Sequence, residues 1–202
     1  MKIRKSSEEK EILVLDASGA EGVCAVVRSG EVVKAIAFAG GRSRDCAVAE
    51  TLAQLISEFP IAPARVVVGV GPGNYNGLRS SIAAAWGFAV ARGIPLTGVS
   101  SWLALGEGEY LAAVDARQSQ YGFARVKDGE FLAEPCLCDR VMLEEKLAAF
   151  PDLPVRCPAA LGLPREETGP AQAHLLAQLS STKEASMELP LPVYLKPPFV
   201  TT

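Results

Sequence analysis

The sequence predicts an α/β fold made of two copies of a βββαβα unit, the second shortened, and three observations lead there. From Gly69 to Val99, GVGPGNYNGLRSSIAAAWGFAVARGIPLTGV reads as strand end, glycine-rich turn, helix and strand. ILVLDA at 12–17 and YLAAVDA at 110–116 are apolar strands that each end in an aspartate and lead into a hairpin. At an offset of 99 residues, Asp16, Ala17, Ala25, Val27, Gly30 and Glu31 coincide with Asp115, Ala116, Ala124, Val126, Gly129 and Glu130, so strand ends and hairpin turns recur together. Self-similarity of this kind reports architecture. The two units divide the chain at 1–106 and 107–202.

In chain order, Ile12–Ala17 is a continuous apolar strand, and Gly22–Arg28 and Glu31–Phe38 form a hairpin across Ser29-Gly30. Arg44–Phe59 carries Val48, Leu52, Leu55, Ile56 and Phe59 at helical spacing, and Pro60 ends it. Alanines 47, 49 and 53 lie off that stripe and leave a small-residue face. Arg65–Val70 is a buried strand. After the Gly71-Pro72-Gly73-Asn74 turn, Asn76 is expected to cap a helix that begins near Leu78 and closes at Gly93. Pro95–Val99 is a short strand, and Ser100 caps a brief helix through Leu105.

The second unit repeats the strands at Tyr110–Ala116, Tyr121–Lys127 and Glu130–Cys136. A helix over Val141–Phe150, a single short strand near Val155 and a helix over Ala171–Leu179 follow. The proline-rich tail from Pro190 to Thr202 is expected to pack as an extended strap.

The helix after the glycine turn poses the sharpest question. Every residue from Ile82 to Ala91 is apolar or glycine, so no polar face is left for water. A sheet covers one side only, and the other cover must be a helix of this chain, another chain, or both.

Composition narrows the function classes. At 49% hydrophobic and 21% charged residues the chain is globular, and a net charge of −3 gives no broad basic footprint for nucleic acid. Met1–Glu11 is too polar for a signal peptide and no apolar run reaches membrane-spanning length, so a cytoplasmic home is expected. Cys24, Cys46, Cys136, Cys138 and Cys157 lack zinc-ribbon spacing and read as reduced thiols.

Two candidate chemistries remain. Asp16 with Ser18, and Asp115 with Arg117-Gln118-Ser119, sit at the carboxyl ends of first strands, where open α/β sheets bind ligands. Facing loops of this type hold phosphates and their metal in sugar kinases, actin and related ATPases. The competing reading is that such aspartates satisfy backbone donors in turns. The loop of Gly71, Pro72, Gly73, Asn76 and Gly77 could cradle an anion at a helix N-terminus, but it lacks the Gly-Lys-Ser/Thr ending of a P-loop and reads first as structural. His174, the single histidine, has no triad partners in its surroundings.

The stretch GVGPGNYNGLRSSIAAAWGFAVARGIPLTGVSSW resembles the bacterial TsaB family, also called YeaZ, whose signature is close to GRGPGSFTGLR, an alanine-rich helix and GIPLVGVSSL. The resemblance extends to ILVLDAS, LAAVDARQSQYGFARV and PVYLKPP, and is weakest from about Arg140 to Leu189. It implies an actin- and sugar-kinase-like (ribonuclease-H-like) fold with a degenerate second half. It also implies a noncatalytic role beside the catalytic TsaD subunit in threonylcarbamoyladenosine modification of tRNA. TsaD carries metal-binding histidines on the helix after its glycine-rich loop; the comparable helix here has none. No catalytic residue, metal or cofactor is therefore expected.

The family pairs with TsaD through its first two helices, which places Asp45, Val48, Ala49, Leu52, Ala53, Ile56, Ile82, Ala83, Trp86 and Val90 at an expected interface. The implied partners are a TsaD-type subunit, a TsaE-type ATPase and, when alone, a second copy; tRNA is met only through the complex. Departures from the family pattern are Ser43-Arg44-Asp45 in place of a His-Ser-Glu-like triplet, and Asn74-Tyr75-Asn76 in place of Ser-Phe-Thr. Asp16, Ser18 and Asp115 are the candidates for residual nucleotide binding, and the alternative function is a small ATP-dependent kinase or ATPase of the same fold.

Overall fold

A computed structural model describes residues 11–39 and 47–196. Two mixed sheets form side by side. The first contains β1 (Ile12–Asp16), β2 (Glu21–Arg28), β3 (Glu31–Ala39), β4 (Arg65–Gly69) and β5 (Leu96–Val99) in the order β3-β2-β1-β4-β5. β1 to β3 form an antiparallel meander, whereas β4 runs parallel to β1 and β5 parallel to β4. Those parallel steps need crossovers. The one into β5 is α2 (Tyr75–Arg92), and the one into β4 carries α1 (Ala47–Glu58).

The second sheet contains β6 (Glu109–Asp115), β7 (Tyr121–Lys127), β8 (Glu130–Phe131), β9 (Cys136–Cys138), β10 (Val155–Cys157) and β11 (Glu166–Thr168). Its order, β11-β10-β6-β7-β8, mirrors the first, with β9 also paired to β7. The duplication read from the hairpins is thus a duplication of sheet topology. α3 (Arg140–Ala148) stands where α1 stands in the first unit. Between β10 and β11 there is no counterpart of α2, only a loop, and this is where the second half is shortened.

The inner strands of the first sheet are apolar on both faces because both are covered, whereas the edge strand β3 stays largely exposed. Leu13, Leu15, Val66 and Val68 face α1 and α2, together with Val48, Leu52, Leu55, Ile82, Ala85 and Ala89. Val14, Ala25, Val27, Val67 and Val99 face the opposite way, onto Leu175, Leu176 and Ala177 of α4 (Ala173–Ser180), a helix contributed by the C-terminal part of the chain. Separate clusters around Leu143 and around Trp102 and Tyr110 fill the second half.

Several expectations change. Asn74, not Asn76, is the N-cap of α2: its side chain accepts a 3.3 Å hydrogen bond from the Gly77 N–H, so the helix starts one turn earlier and Asn76 lies exposed within it. Ser100 makes no side-chain cap; its hydroxyl donates to Gly71 O instead, and Ser101–Ala104 is a 3₁₀ turn. The strand expected over Glu130–Cys136 is broken into β8 and β9, because Pro135 has no N–H for the ladder. A second short strand, β11, follows β10. Gly93 closes α2 with φ 64°.

Candidate functional site

The carboxyl ends of β1 and β6, the start of α2 and the turn after β10 converge on a cleft of about 640 Å³ between the two sheets. Its walls are the Ser18–Ala20 turn, Pro72–Asn76, Val114–Arg117, Pro158 and Ala159. The tail segment Val193–Lys196 crosses it. Strand-end placement of this kind is where open α/β sheets bind ligands.

Most polar groups of these loops are used internally. Asp16 is fully buried and does not line the cleft. Its Oδ1 accepts from Ser18 N at 2.9 Å and Ser18 Oγ at 2.7 Å, and its Oδ2 from Ser101 Oγ at 2.5 Å. Burial pushes its carboxyl above the ordinary aspartate range, against the pull of those three donors. Ser18 O accepts from Asn74 N at 2.7 Å, and Ala20 N donates to Pro158 O at 2.9 Å. On the facing loop, Arg117 N donates to Asp115 Oδ1 at 2.7 Å and Ala116 N to Gln120 O at 2.9 Å. The turn reading of both strand-end aspartates matches this geometry. Of the nucleotide-binding candidates, Asp115 lies exposed on the cleft wall, Ser18 lines it with its hydroxyl and amide turned to Asp16, and Asp16 is outside it. With both carboxylate oxygens bonded in the core, Asp16 presents neither of them to the cleft.

The glycine-rich loop is shaped by close approach. Gly71 has φ 92° and precedes a cis bond to Pro72. A Cβ at Gly73 would lie 2.2 Å from Ser18 O and one at Gly77 2.1 Å from Ala17 O, so α2 begins against the first hairpin. Sequence reasoning did not find the tail's contribution to the cleft. Val193 N donates to Val70 O at 2.8 Å, Tyr194 stacks on Tyr75 with ring centroids 5.1 Å apart, and Lys196 Nζ donates to Arg117 O at 3.2 Å. The PVYLK motif was the available signal.

His174 lies away from this cleft, on α4, with Nε2 3.8 Å from Glu107 Oε1. Burial pushes the thiols of Cys24 and Cys157 up to about 12, so both stay protonated at neutral pH.

A second surface is formed by the helices. α1 and α2 pack against each other over the sheet. Of the expected interface residues, Val48, Leu52 and Ile82 point into the core and are 4%, 7% and 3% exposed, so they cannot meet a partner; the stripe that patterned them apolar is the core stripe. Ile56 is half-buried against the same core, and Asp45 lies outside the described residues. Ala49, Ala53 and Ala83 are exposed, as are Trp86 and Val90 at 40% and 48%. Between Arg79 and Arg92, α2 carries no charged side chain.

Two sheets of the same strand order facing a cleft at their strand ends define the class: this is an actin- and sugar-kinase-like fold. Within that class the chain has the fold of YeaZ. A solved structure described as YeaZ from Pseudomonas aeruginosa superposes with TM-score 0.69 at 21% identity, over 92% of this chain and 100% of that one. Another, described as an uncharacterized protein with similarity to peptidase YeaZ from Pseudomonas aeruginosa, gives TM-score 0.70 at 21% identity, over 93% of this chain and 100% of the other. The family profile described as "TsaD: tRNA N6-adenosine threonylcarbamoyltransferase" matches residues 45–139. An uncharacterized Mycobacterium leprae protein is 43% identical over 75 residues, 36% of this chain and 21% of its own length. An uncharacterized Mycobacterium tuberculosis protein is 45% identical over 67 residues, 32% of each chain. The chain spans between a fifth and a third of the length of these curated relatives. These matches support the TsaB/YeaZ resemblance read from the sequence. Among the described residues, no helix is long and apolar enough to cross a membrane.

Proposed function

We propose that this chain is a TsaB-type partner subunit that pairs with a TsaD-type catalytic subunit and supports threonylcarbamoyladenosine modification of tRNA without catalysing it. The observation that carries the reading is the outer face of α2, where Ala83, Trp86 and Val90 stand exposed on an 18-residue helix. An exposed apolar row with no charged side chain between Arg79 and Arg92 supports a protein-binding role for this face. The exposed alanines of α1 beside it let a partner helix approach closely. The same face accounts for self-association when the chain is alone, and a TsaE-type ATPase and tRNA join through the assembled pair, in the cytoplasm.

The noncatalytic part rests on the single histidine being His174 on α4, so α2 offers no imidazole for a metal, and on the internal use of Asp16 and Ser18. The cleft of about 640 Å³ is what favours the second reading, a small ATP-dependent kinase.

The test is co-purification with a TsaD-type subunit from the same cells, followed by tRNA modification assays with each subunit alone and with the pair. Modification should need both chains. Ala53→Arg, which sets a charge in the seam, should remove pairing and modification together while the chain stays folded. Modification by this chain unaided, or loss of modification with pairing intact, would overturn the reading. Micromolar binding of ATP and magnesium by calorimetry would favour the kinase.

A further inference from the structure

After a bridge at Ser186 and a bend over Met187 and Glu188, the segment to Val193 forms no regular element, and it wears its pattern inside out. Leu189, Leu191 and Val193 are exposed at 49%, 80% and 43%, while the alternate residues Pro190, Pro192 and Tyr194 are half-buried. A strand lying on a protein surface ordinarily turns apolar side chains inward and polar ones to water. Here the prolines and tyrosine face the protein, and Met187, at 47% exposure, lengthens the outward apolar row. Glu188 is the one charge in the segment.

This ridge is held in place. Ser186 exchanges backbone hydrogen bonds of 2.8 and 3.0 Å with Leu96 on β5, Trp86 Nε1 donates to Met187 O at 3.2 Å, and Pro190 packs over Gly98. Val193 N is tied to Val70 O at 2.8 Å. The segment therefore runs antiparallel to α2, with Met187 beside Trp86 and Tyr194 beside Tyr75. Pro190 and Pro192 have no N–H, so the ridge is a poor template for strand addition and offers side chains instead.

We infer that this ridge is the second wall of the surface proposed for α2, and that its occupant is an apolar helix of the TsaD-type partner chain lying between Trp86 and Leu191. The inference rests on the reading under Proposed function and adds to it a segment outside α1 and α2. Area argues for one continuous surface. Tyr75, Trp86, Val90, Met187, Leu189, Leu191 and Val193 are 39–80% exposed. Together they present on the order of 500–600 Å², at the top of the range of roughly 300–600 Å² for the largest patch on a monomer. A stable interface takes about 800 Å² from each partner, and without the ridge α2 and its neighbouring alanines fall well short of that.

The experiment compares full-length wild type, the ridge variant Leu189→Asp/Leu191→Asp and the helix variant Ala53→Arg for binding to the purified TsaD-type subunit by calorimetry, with thermal melting of each. The ridge variant should bind at least 10-fold more weakly and melt as wild type does. A ridge variant that binds like wild type while Ala53→Arg does not overturns this inference and leaves the proposed function standing. Wild-type binding by both variants, or no binding by wild type, overturns both. A ridge variant that keeps partner binding but loses self-association by sedimentation assigns the ridge to a second copy and overturns the occupant named here. Should the double aspartate variant fail to fold, Leu191→Ser alone takes its place, since its side chain is the most exposed of the row.

Discussion

Ser101 donates a 2.5 Å hydrogen bond to Asp16 Oδ2 and so joins the end of the first strand to the turn after β5, 85 residues away in sequence. Gly69 lies beneath the pair, and a Cβ there would overlap Asp16 Oδ2 at 1.6 Å. A carboxyl buried this deeply binds its proton more tightly in the folded than in the unfolded chain, because desolvation outweighs the three donors. Its contribution to stability is therefore complete below the unfolded carboxylate range, near pH ~4, and is lost as pH rises through the elevated folded value. Asp16→Asn has no such titration. The difference in urea midpoint between wild type and Asp16→Asn should shift against wild type as pH rises from about 4 towards 7. A pH-independent difference would show that Asp16 does not titrate differently on folding. Asp16→Ala leaves Ser18 and Ser101 without their acceptor and should cost about 2–5 kcal/mol near pH ~4, less as pH rises and the wild type loses the contribution of its buried carboxyl.

Gly73→Val should lower stability by about 2–4 kcal/mol, because a Cβ at that position meets Ser18 O at 2.2 Å and cannot be accommodated without moving the hairpin. The cause is close approach, not a left-handed backbone, since the positive φ of this loop belongs to Gly71. Chemical denaturation of the two proteins is the check, and an unchanged midpoint would mean that the hairpin yields freely.

Ala83→Arg places a charge on the exposed face of α2, where in the isolated chain it meets water. Stability should stay within about 0.5 kcal/mol of wild type, while self-association at high micromolar concentration, read by sedimentation, should fall at least tenfold. Self-association that survives would move the homodimer contact elsewhere.

Leu176 is fully buried in α4 against Val14, Val27 and Val67 of the first sheet. Leu176→Ala should cost about 2–5 kcal/mol, the range for a core cavity. Since α4 belongs by sequence to the second half, unfolding should remain a single transition seen alike by near- and far-ultraviolet circular dichroism. Two separated transitions would show that the halves unfold independently.

Much of the architecture was legible because the local rules agree. The meander, both hairpin turns, α1, α3, α4 and the glycine that closes α2 all follow from runs, periodicity and punctuation. The misses have physical causes. The N-cap of α2 fell to Asn74 because the glycine-rich turn ends two residues earlier than the apolar pattern suggests. β11 is three residues of Glu-Glu-Thr and has no apolar signature at all. Val48, Leu52 and Ile82 read as interface because a single sequence does not say which of two apolar stripes faces the sheet. At the cleft, Asp16, Ser18 and Asp115 were identifiable as strand-end groups, but the bond from Ser101 that removes Asp16 from it spans the whole first unit.

The placement of α4 also sets an order of events during synthesis. One apolar face of the first sheet stays bare until a helix ending at Ser180 has been made, long after β5 ends at Val99. At 5–20 residues per second that interval is roughly 4–16 s. Throughout it, Val14, Val27 and Val67 are open to chaperones or to a neighbouring nascent chain, so the growing polypeptide is most vulnerable when its first half has already taken its strands.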